Sequence, residues 1–494
     1  MRRVSSLCVV AVFACGLLVA ACAPAVVPPG SSTTTTTSIA PTTSTTEAPS
    51  TTTTELPATT TTTEAPTTST TEAPSTTTTE LPTTTTTTEA PTTTIPPAAR
   101  ATQVDADMAH TCTRMSDGTA RCWGSNLSGR FGNDSLSNSN VPVAVVDPTN
   151  TSIPLTGIAS ISTGAYQSCA VMTDSTARCW GLNENGRLGN DSFRDSDVPV
   201  TVVDPTNTSN PLTGIASISA GNSHVCAVMT DSTARCWGYN GEGRLGNNTL
   251  TDSKVPVAVL DPTNTSNPLT GIASISAGGY QTCAVMADST ARCWGLNEAG
   301  RLGNNSLSNS DVPVTVVDPT NTSNPLTGFA TISVGNSSVC AVMTDSTARC
   351  WGYNGAGRLG DDTLTDSKVP VAVVDPTNTA NPLTGIASIS SGGYPGGHTC
   401  ARMLDSTARC WGKNGAGRLG NNTLIASRVP VTVVDPGSTS NVLAGVTSIT
   451  AGGYHTCAVM TDGSVRCWGY NGSGRLGDNT LTDSAVPVRV SNIP

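Results

Sequence analysis

No part of the repeated region of this chain has an apolar period that would make a helix of useful length, which argues against a helical fold and for strands. An excess of positive charge is missing too. The formal net charge is −10, and with the two leader arginines and six linker glutamates set aside, 23 basic residues still face 29 acidic ones. That balance lacks the electrostatic footprint of a nucleic-acid binder. Histidine is scarce, and all four residues (His110, His224, His398 and His455) take one position, two residues before a cysteine. Gln167, Gln281 and Ser338 fill that position elsewhere, so a hydrogen-bonding framework role is expected there rather than a metal or general base. No cysteine pair has the short spacing of zinc ligands. No Asp/Asn-rich loop ends in the glutamate of a calcium loop. The expectation is a protein without catalytic residues, metal or cofactor.

The chain is rich in cysteine, threonine and repetition. Arg2 and Arg3 precede an apolar or small run from Val4 to Ala21, the pattern of an export signal over residues 1–21. The run ends in Leu18-Val19-Ala20-Ala21-Cys22, which resembles the bacterial lipobox and implies lipidation of Cys22. Ordinary signal cleavage nearby would secrete the chain instead. Cysteine arithmetic agrees, since removal of Cys8 and Cys15 and capping of Cys22 leaves an even fourteen. Residues 22–98 are almost wholly Thr, Pro, Ser, Ala and Glu. Such a segment has too little apolar surface to offset the entropy of ordering. At roughly 3 Å per residue it is expected to reach on the order of 200 Å, holding residues 99–494 away from a membrane.

Those residues contain seven Cys-x9-Cys pairs, each followed by Trp-Gly, at a period of 57 residues with one step of 60 where Pro395-Gly396-Gly397 is inserted. A fixed period of this size means one supersecondary unit used seven times. In the unit beginning at Ile215, four runs have strand character (IASIS, HVCAVM, ARCWG and VPVAV), separated by Gly, Asn, Asp and Pro clusters. Seven four-stranded units predict an all-β fold, a seven-bladed β-propeller; an open β-solenoid is the competitor.

The middle two runs form a hairpin, and its three-residue loop ends in a glycine in the end repeats. Cys112 and Cys122 each lie five residues from Asp117 and therefore face each other. Outside the cytoplasm this predicts seven bridges: Cys112–Cys122, Cys169–Cys179, Cys226–Cys236, Cys283–Cys293, Cys340–Cys350, Cys400–Cys410 and Cys457–Cys467. Fourteen buried free thiols are the alternative.

The pattern G-x-x-H-T-C-A-x-x-x-D-G-x-x-x-C-W-G-x-N-x-x-G-x-L-G, read from Gly452 to Gly477, resembles the RCC1 (regulator of chromosome condensation) repeat. The resemblance runs from about Arg100 to Pro494 and implies a seven-bladed propeller. Two features depart from that family. Arginine stands before Leu-Gly, or Phe-Gly in the first repeat, where the family commonly has glutamine: Arg130, Arg187, Arg244, Arg301, Arg358, Arg418 and Arg475. An Asp-Pro-Thr-Asn loop also lengthens the unit. The arginines are expected to make the same ion pairs or carbonyl caps in every blade. Gly241-x-Gly243-x-x-Gly246 imitates a dinucleotide fingerprint, but it recurs in the repeats and lies between no strand and helix, so it reads as turn glycine.

Variation among near-copies is more telling. Tyr166, Tyr280, Tyr394 and Tyr454 precede the first hairpin strand. Tyr239, Tyr353 and Tyr470 follow Trp-Gly, with Leu182, Leu296, Ser125 and Lys413 in the other blades. Tyrosine at a propeller rim suits protein recognition, and inter-blade packing is the rival role. Tyr239, Tyr353, Tyr470, Leu182 and Leu296 are therefore the expected partner-binding residues. The name-giving RCC1 proteins bind chromatin and exchange nucleotide on a small GTPase, partners that export removes. The expected function is a surface-tethered, non-enzymatic module that binds an extracellular or envelope protein, with a monomeric propeller and a lipid anchor as the only membrane contact. Its alternatives are an inhibitor of an extracellular enzyme, as the resemblance to β-lactamase inhibitors of this fold implies, a carbohydrate-active enzyme, and a structural wall protein.

Overall fold

The computed structural model describes residues 98–393, 397–439 and 441–493; the leader, Cys22, the linker and Tyr394 lie outside them. Seven four-stranded antiparallel sheets follow one another, each made of four consecutive strands in spatial order. In the third blade these are Ile215–Ala220, His224–Met229, Ala234–Gly238 and Ser253–Ala258. First strands meet first strands around a central axis, and Ala101–Ala106 packs on Val446–Ala451 to close the circle. The fold is thus the expected seven-bladed propeller, closed rather than solenoidal.

The repeat pattern does not reveal how the ring closes. It closes without exchange of a terminal strand, through side-chain and backbone bonds between the first and last blades. Trp123 donates its indole N–H to the Arg475 carbonyl at 2.8 Å, the Ala106 amide bonds Thr450 Oγ1 at 3.2 Å, and the Asn479 amide bonds the Asn140 carbonyl at 3.0 Å. Equivalent bonds join the other neighbouring pairs, except that between the first two blades the Asp105 carboxylate takes the place of the hydroxyl.

Alternation along the second strand explains how a thin blade is held on both sides. Val225, Ala227 and Met229 pack against the preceding blade, while Cys226 and Val228 turn toward the following one. The apolar core is therefore divided among seven inter-blade clusters. Each unites the cystine of one blade with the tryptophan of the next, as Cys169, Cys179, Leu188 and Trp237 do. All seven half-cystine pairs face each other in register and are bonded, with α-carbons 4.0–4.1 Å apart. The hairpin loop is the same in all blades. Gly118 and Gly463 take φ +76° and +81°, and Ser175, Ser232, Ser289, Ser346 and Ser406 hold the same left-handed position.

The Asp-Pro-Thr-Asn segment is more ordered than the loop expected from sequence. In five connections it forms a small exposed hairpin, such as Val203–Asp204 with Asn207–Pro211. The Asp204 carboxylate accepts from the Thr206 amide and hydroxyl, both at 2.8 Å, and so pins the turn locally.

The glycines of the apparent fingerprint belong to the blade-to-blade clasp. Gly246 has φ +68°, and an added Cβ would lie 2.8 Å from the Trp294 indole nitrogen. That indole, fully buried, donates to the Arg244 carbonyl at 2.9 Å. Gly246→Val is expected to lower stability by about 3–4 kcal/mol, combining left-handed strain with loss of a buried hydrogen bond. A urea midpoint unchanged from the native chain would refute this account of the clasp.

Candidate protein-binding face

In an up-and-down blade, the loop joining strands one and two and the loop joining strands three and four emerge on the same face. Both carry the side chains that vary most. The seven arginines sit here, between 2% and 9% exposed, and each has two jobs. The backbone job is identical in all seven blades: the carbonyl accepts the next blade's tryptophan N–H at 2.8–3.0 Å. The guanidinium job varies. Arg187, Arg244 and Arg418 donate to the next blade's Asn222, Gly279 and Gly453 carbonyls at 3.0–3.4 Å. Arg244 also pairs with Glu242.

Tyrosines complete these stacks. Arg130 and Arg187 flank Tyr166, each 5.5 Å from its ring centre. Arg244 and Arg301 flank Tyr280 in the same way, and Arg418 and Arg475 flank Tyr454. The second tyrosine set lies farther out. Tyr239, Tyr353 and Tyr470 cover Arg244, Arg358 and Arg475 at 4.6–4.9 Å. Tyr353 and Tyr470 remain 41% and 38% exposed. Tyr166, Tyr280 and Tyr454 therefore pack between blades, whereas Tyr353 and Tyr470 expose a ring stacked on a buried guanidinium. Cation–π stacking of this kind restrains both side chains before any partner arrives. Leu182 and Leu296 are half-buried, and Leu182 lines a groove of about 720 Å³ with Tyr166, Arg187 and Tyr239.

A second ring on this face went unnoticed in the sequence. Leu136, Phe193, Leu250, Leu307, Leu364, Leu424 and Leu481, one per blade in the loop joining strands three and four, are between 54% and 63% exposed. The signal was available: one apolar residue recurs at a fixed place in an otherwise polar loop. Leu307 and Tyr353 from neighbouring blades share a groove of about 610 Å³ with Arg301 and Lys368. Exposed apolar groups repeated on one face mark an interaction surface more readily than single ones do.

The four histidines are buried behind this face and serve as framework. His110, His224, His398 and His455 bond through Nε2 to Ser168, Thr282, Thr456 and Thr111 of the following blade at 2.6–2.8 Å. Those hydroxyls donate onward to the Arg130, Arg244, Arg418 and Arg475 carbonyls. Each imidazole must then donate from Nε2 and stay neutral, and its Nδ1 finds no partner. Where the next blade offers Val225 or Val339, glutamine replaces histidine and reaches the Gly221 or Gly335 carbonyl instead. The described residues gather no group of three or more His, Cys, Asp or Glu side chains. None of their helices is long and apolar enough to cross a membrane.

The molecule is a closed, disulfide-bonded seven-bladed propeller with one face built from arginine–tyrosine stacks and exposed apolar groups. Residues 153–494 match the RCC1-like domain, and the chain belongs to that family. The first blade lies ahead of the matched residues but has the same strands and clasp. The ultraviolet-B receptor UVR8 of Arabidopsis thaliana is 26% identical over 337 residues, covering 67% of this chain and 69% of the receptor. The mitochondrial RCC1 domain-containing protein RUG3 of the same plant is 26% identical over 336 residues, covering 67% of this chain and 57% of the relative. Among solved structures, Prp20p from Saccharomyces cerevisiae shares the fold with a TM-score of 0.58 at 18% identity, over 80% of this chain and 88% of that one.

Proposed function

We propose that this protein is an exported, surface-tethered and non-enzymatic protein-binding module, which contacts its partner with the face described above. The observation that carries this reading is the coincidence of two rings on one face: seven exposed apolar side chains and tyrosines pre-set by buried arginines. Aromatic anchors already stacked on buried cations lower the entropy cost of association. The fold itself is a scaffold for protein binding, and Prp20p is described by its binding to Gsp1p and histones. Seven disulfides suit an oxidising, extracellular setting. The lipid at Cys22 and the long linker supply the tether in this proposal.

The test is capture from cell-envelope and culture-supernatant extracts by the full chain and two variants. One carries Tyr353→Ala, Tyr470→Ala and Leu307→Ser on the proposed face. The other carries Thr208→Ala and Ser209→Ala, exposed residues on the opposite face beside the strand-two hairpins. A protein retained by the native chain and the second variant, but lost at least tenfold by the first, supports the reading. Equal capture by all three, or capture lost only in the second variant, overturns the choice of face.

A further inference from the structure

The axis of the ring contains a local exception to its own symmetry. On the first strand of six blades a Ser162-type hydroxyl (threonine in the last) accepts the next blade's amide at 2.9–3.2 Å. The first blade has Asp105 there, and its carboxylate accepts the Thr163 amide at 2.8 Å and the Thr450 hydroxyl at 3.2 Å. A neutral hydroxyl does the same work six times, so that bond does not require the negative charge. Two residues further on, Asp107 stands where the other six blades have glycine, Gly164 and its equivalents. One blade in seven thus brings two carboxylates to the axis.

They line a cavity of about 110 Å³, whose wall shares Asn222 and Gly279 with the large groove of the proposed binding face. Three polar atoms of its lining are buried without a partner: Asp107 Oδ1, Thr163 Oγ1 and Ser391 Oγ. Their side chains are 91% or more buried. Unpaired buried oxygens cost stability unless something in the cavity satisfies them. Burial, and then the charge of Asp105, pushes Asp107 up to about 8, and burial pushes Asp105 up to about 6.

We propose that this axial cavity binds one hydrated divalent cation of the calcium class, held by Asp107 and Asp105 with the free hydroxyls of Thr163 and Ser391 around it. The wall offers oxygen and amide groups with no thiol or imidazole, which selects a hard cation over zinc or copper. The volume admits the ion with roughly three waters at about 30 Å³ each. Two carboxylates and a partly hydrated ion place the affinity at about 0.1–1 mM, the range of extracellular calcium modules.

The full chain, stripped with a chelator, is titrated with CaCl₂ by calorimetry, with matched KCl as the ionic-strength control. One ion per chain is expected. A rise in the unfolding midpoint of roughly 2–5 °C is expected at a hundredfold excess over the dissociation constant. Asp107→Asn should abolish the heat and the shift while keeping the far-ultraviolet spectrum. Thr163→Val should weaken binding several-fold. A response matched by KCl, a response retained by folded Asp107→Asn, or no response at 10 mM calcium (about tenfold above the expected range) would overturn the proposal.

Discussion

Unfolded in the presence of a reductant and then returned to native buffer with the reductant still present, the chain is expected not to regain its propeller. All fourteen half-cystines of the ring have no exposed surface, and each bridge closes a hairpin with a sequence separation of 10. The chain-entropy model gives roughly 2–3 kcal/mol per loop of this length. The seven loops are separate and do not share residues, so their contributions add to on the order of 15–20 kcal/mol. That exceeds the roughly 5–15 kcal/mol net stability of an ordinary domain. The loss acts on the unfolded chain, whose freedom the bridges restrict, while the packing around the sulfurs is unchanged. In native buffer the same reductant should do little, because the buried sulfurs are out of its reach until a blade opens. Thiol titration distinguishes the two states: none of the fourteen reacts in native buffer, and all react in denaturant. A reduced chain that recovers its near-ultraviolet tryptophan signal and its heat resistance would show that the bridges are dispensable.

The second large effect is a loss of stability on mild acidification. His110, His224 and His398 are held far below their ordinary value by burial and by neighbouring arginines, and His455 is pushed down to about 3. In the unfolded chain all four titrate near 6.5. As the pH falls through that value, the unfolded chain takes up four protons that the folded chain refuses, so stability drops. Asp107 and Asp105 act in the opposite sense, since their raised values let the folded chain hold protons that the unfolded chain takes up only near 3.8. Between pH 6 and 4.5 the balance is four protons against two. A net of two is worth about 2.7 kcal/mol per pH unit, or roughly 4 kcal/mol across the window. The exposed turn aspartates, such as Asp174, are lowered by the hydroxyl and amide of Thr176 and neighbours. They act only below the carboxylate range and add a further loss there. Urea midpoints measured in chelator at pH 7, 6, 5 and 4.5 test the window. His224→Gln, which copies the residue of two sister blades, should reduce the slope by about one proton, and Asp107→Asn should steepen it by about one. A flat profile, or a slope untouched by either variant, would contradict the buried neutral histidines.

The strands, their number, the pairing of the cysteines and the framework place of the histidines were all legible because each is written several times over. Seven copies of the Cys-x9-Cys pair leave only one register for the hairpin. Exchange of His for Gln or Ser at one position is itself a statement about hydrogen bonding. What could not be read was contact between copies. The choice between histidine and glutamine depends on whether the next blade offers a hydroxyl, and that neighbour lies 54–58 residues away. The tyrosines illustrate the same limit. Their two positions were visible, but only packing decides that Tyr280 is clamped between two arginines while Tyr353 presents its ring to solvent.

By itself the sequence determined the unit: four strands and a central hairpin with facing cysteines, repeated seven times. These follow from local periodicity and turn chemistry, which act over a few residues. Tertiary structure decided everything that requires two blades at once. The tryptophan–arginine clasp, the closing of the ring without strand exchange and the gathering of loops onto one face are of this kind. So is the meeting of Asp105 and Asp107 with Thr163 and Ser391 at the axis. The physical reason is that a single blade is too thin to bury its own side chains. Its buried polar and apolar groups are satisfied only by the neighbour that circular closure brings against it.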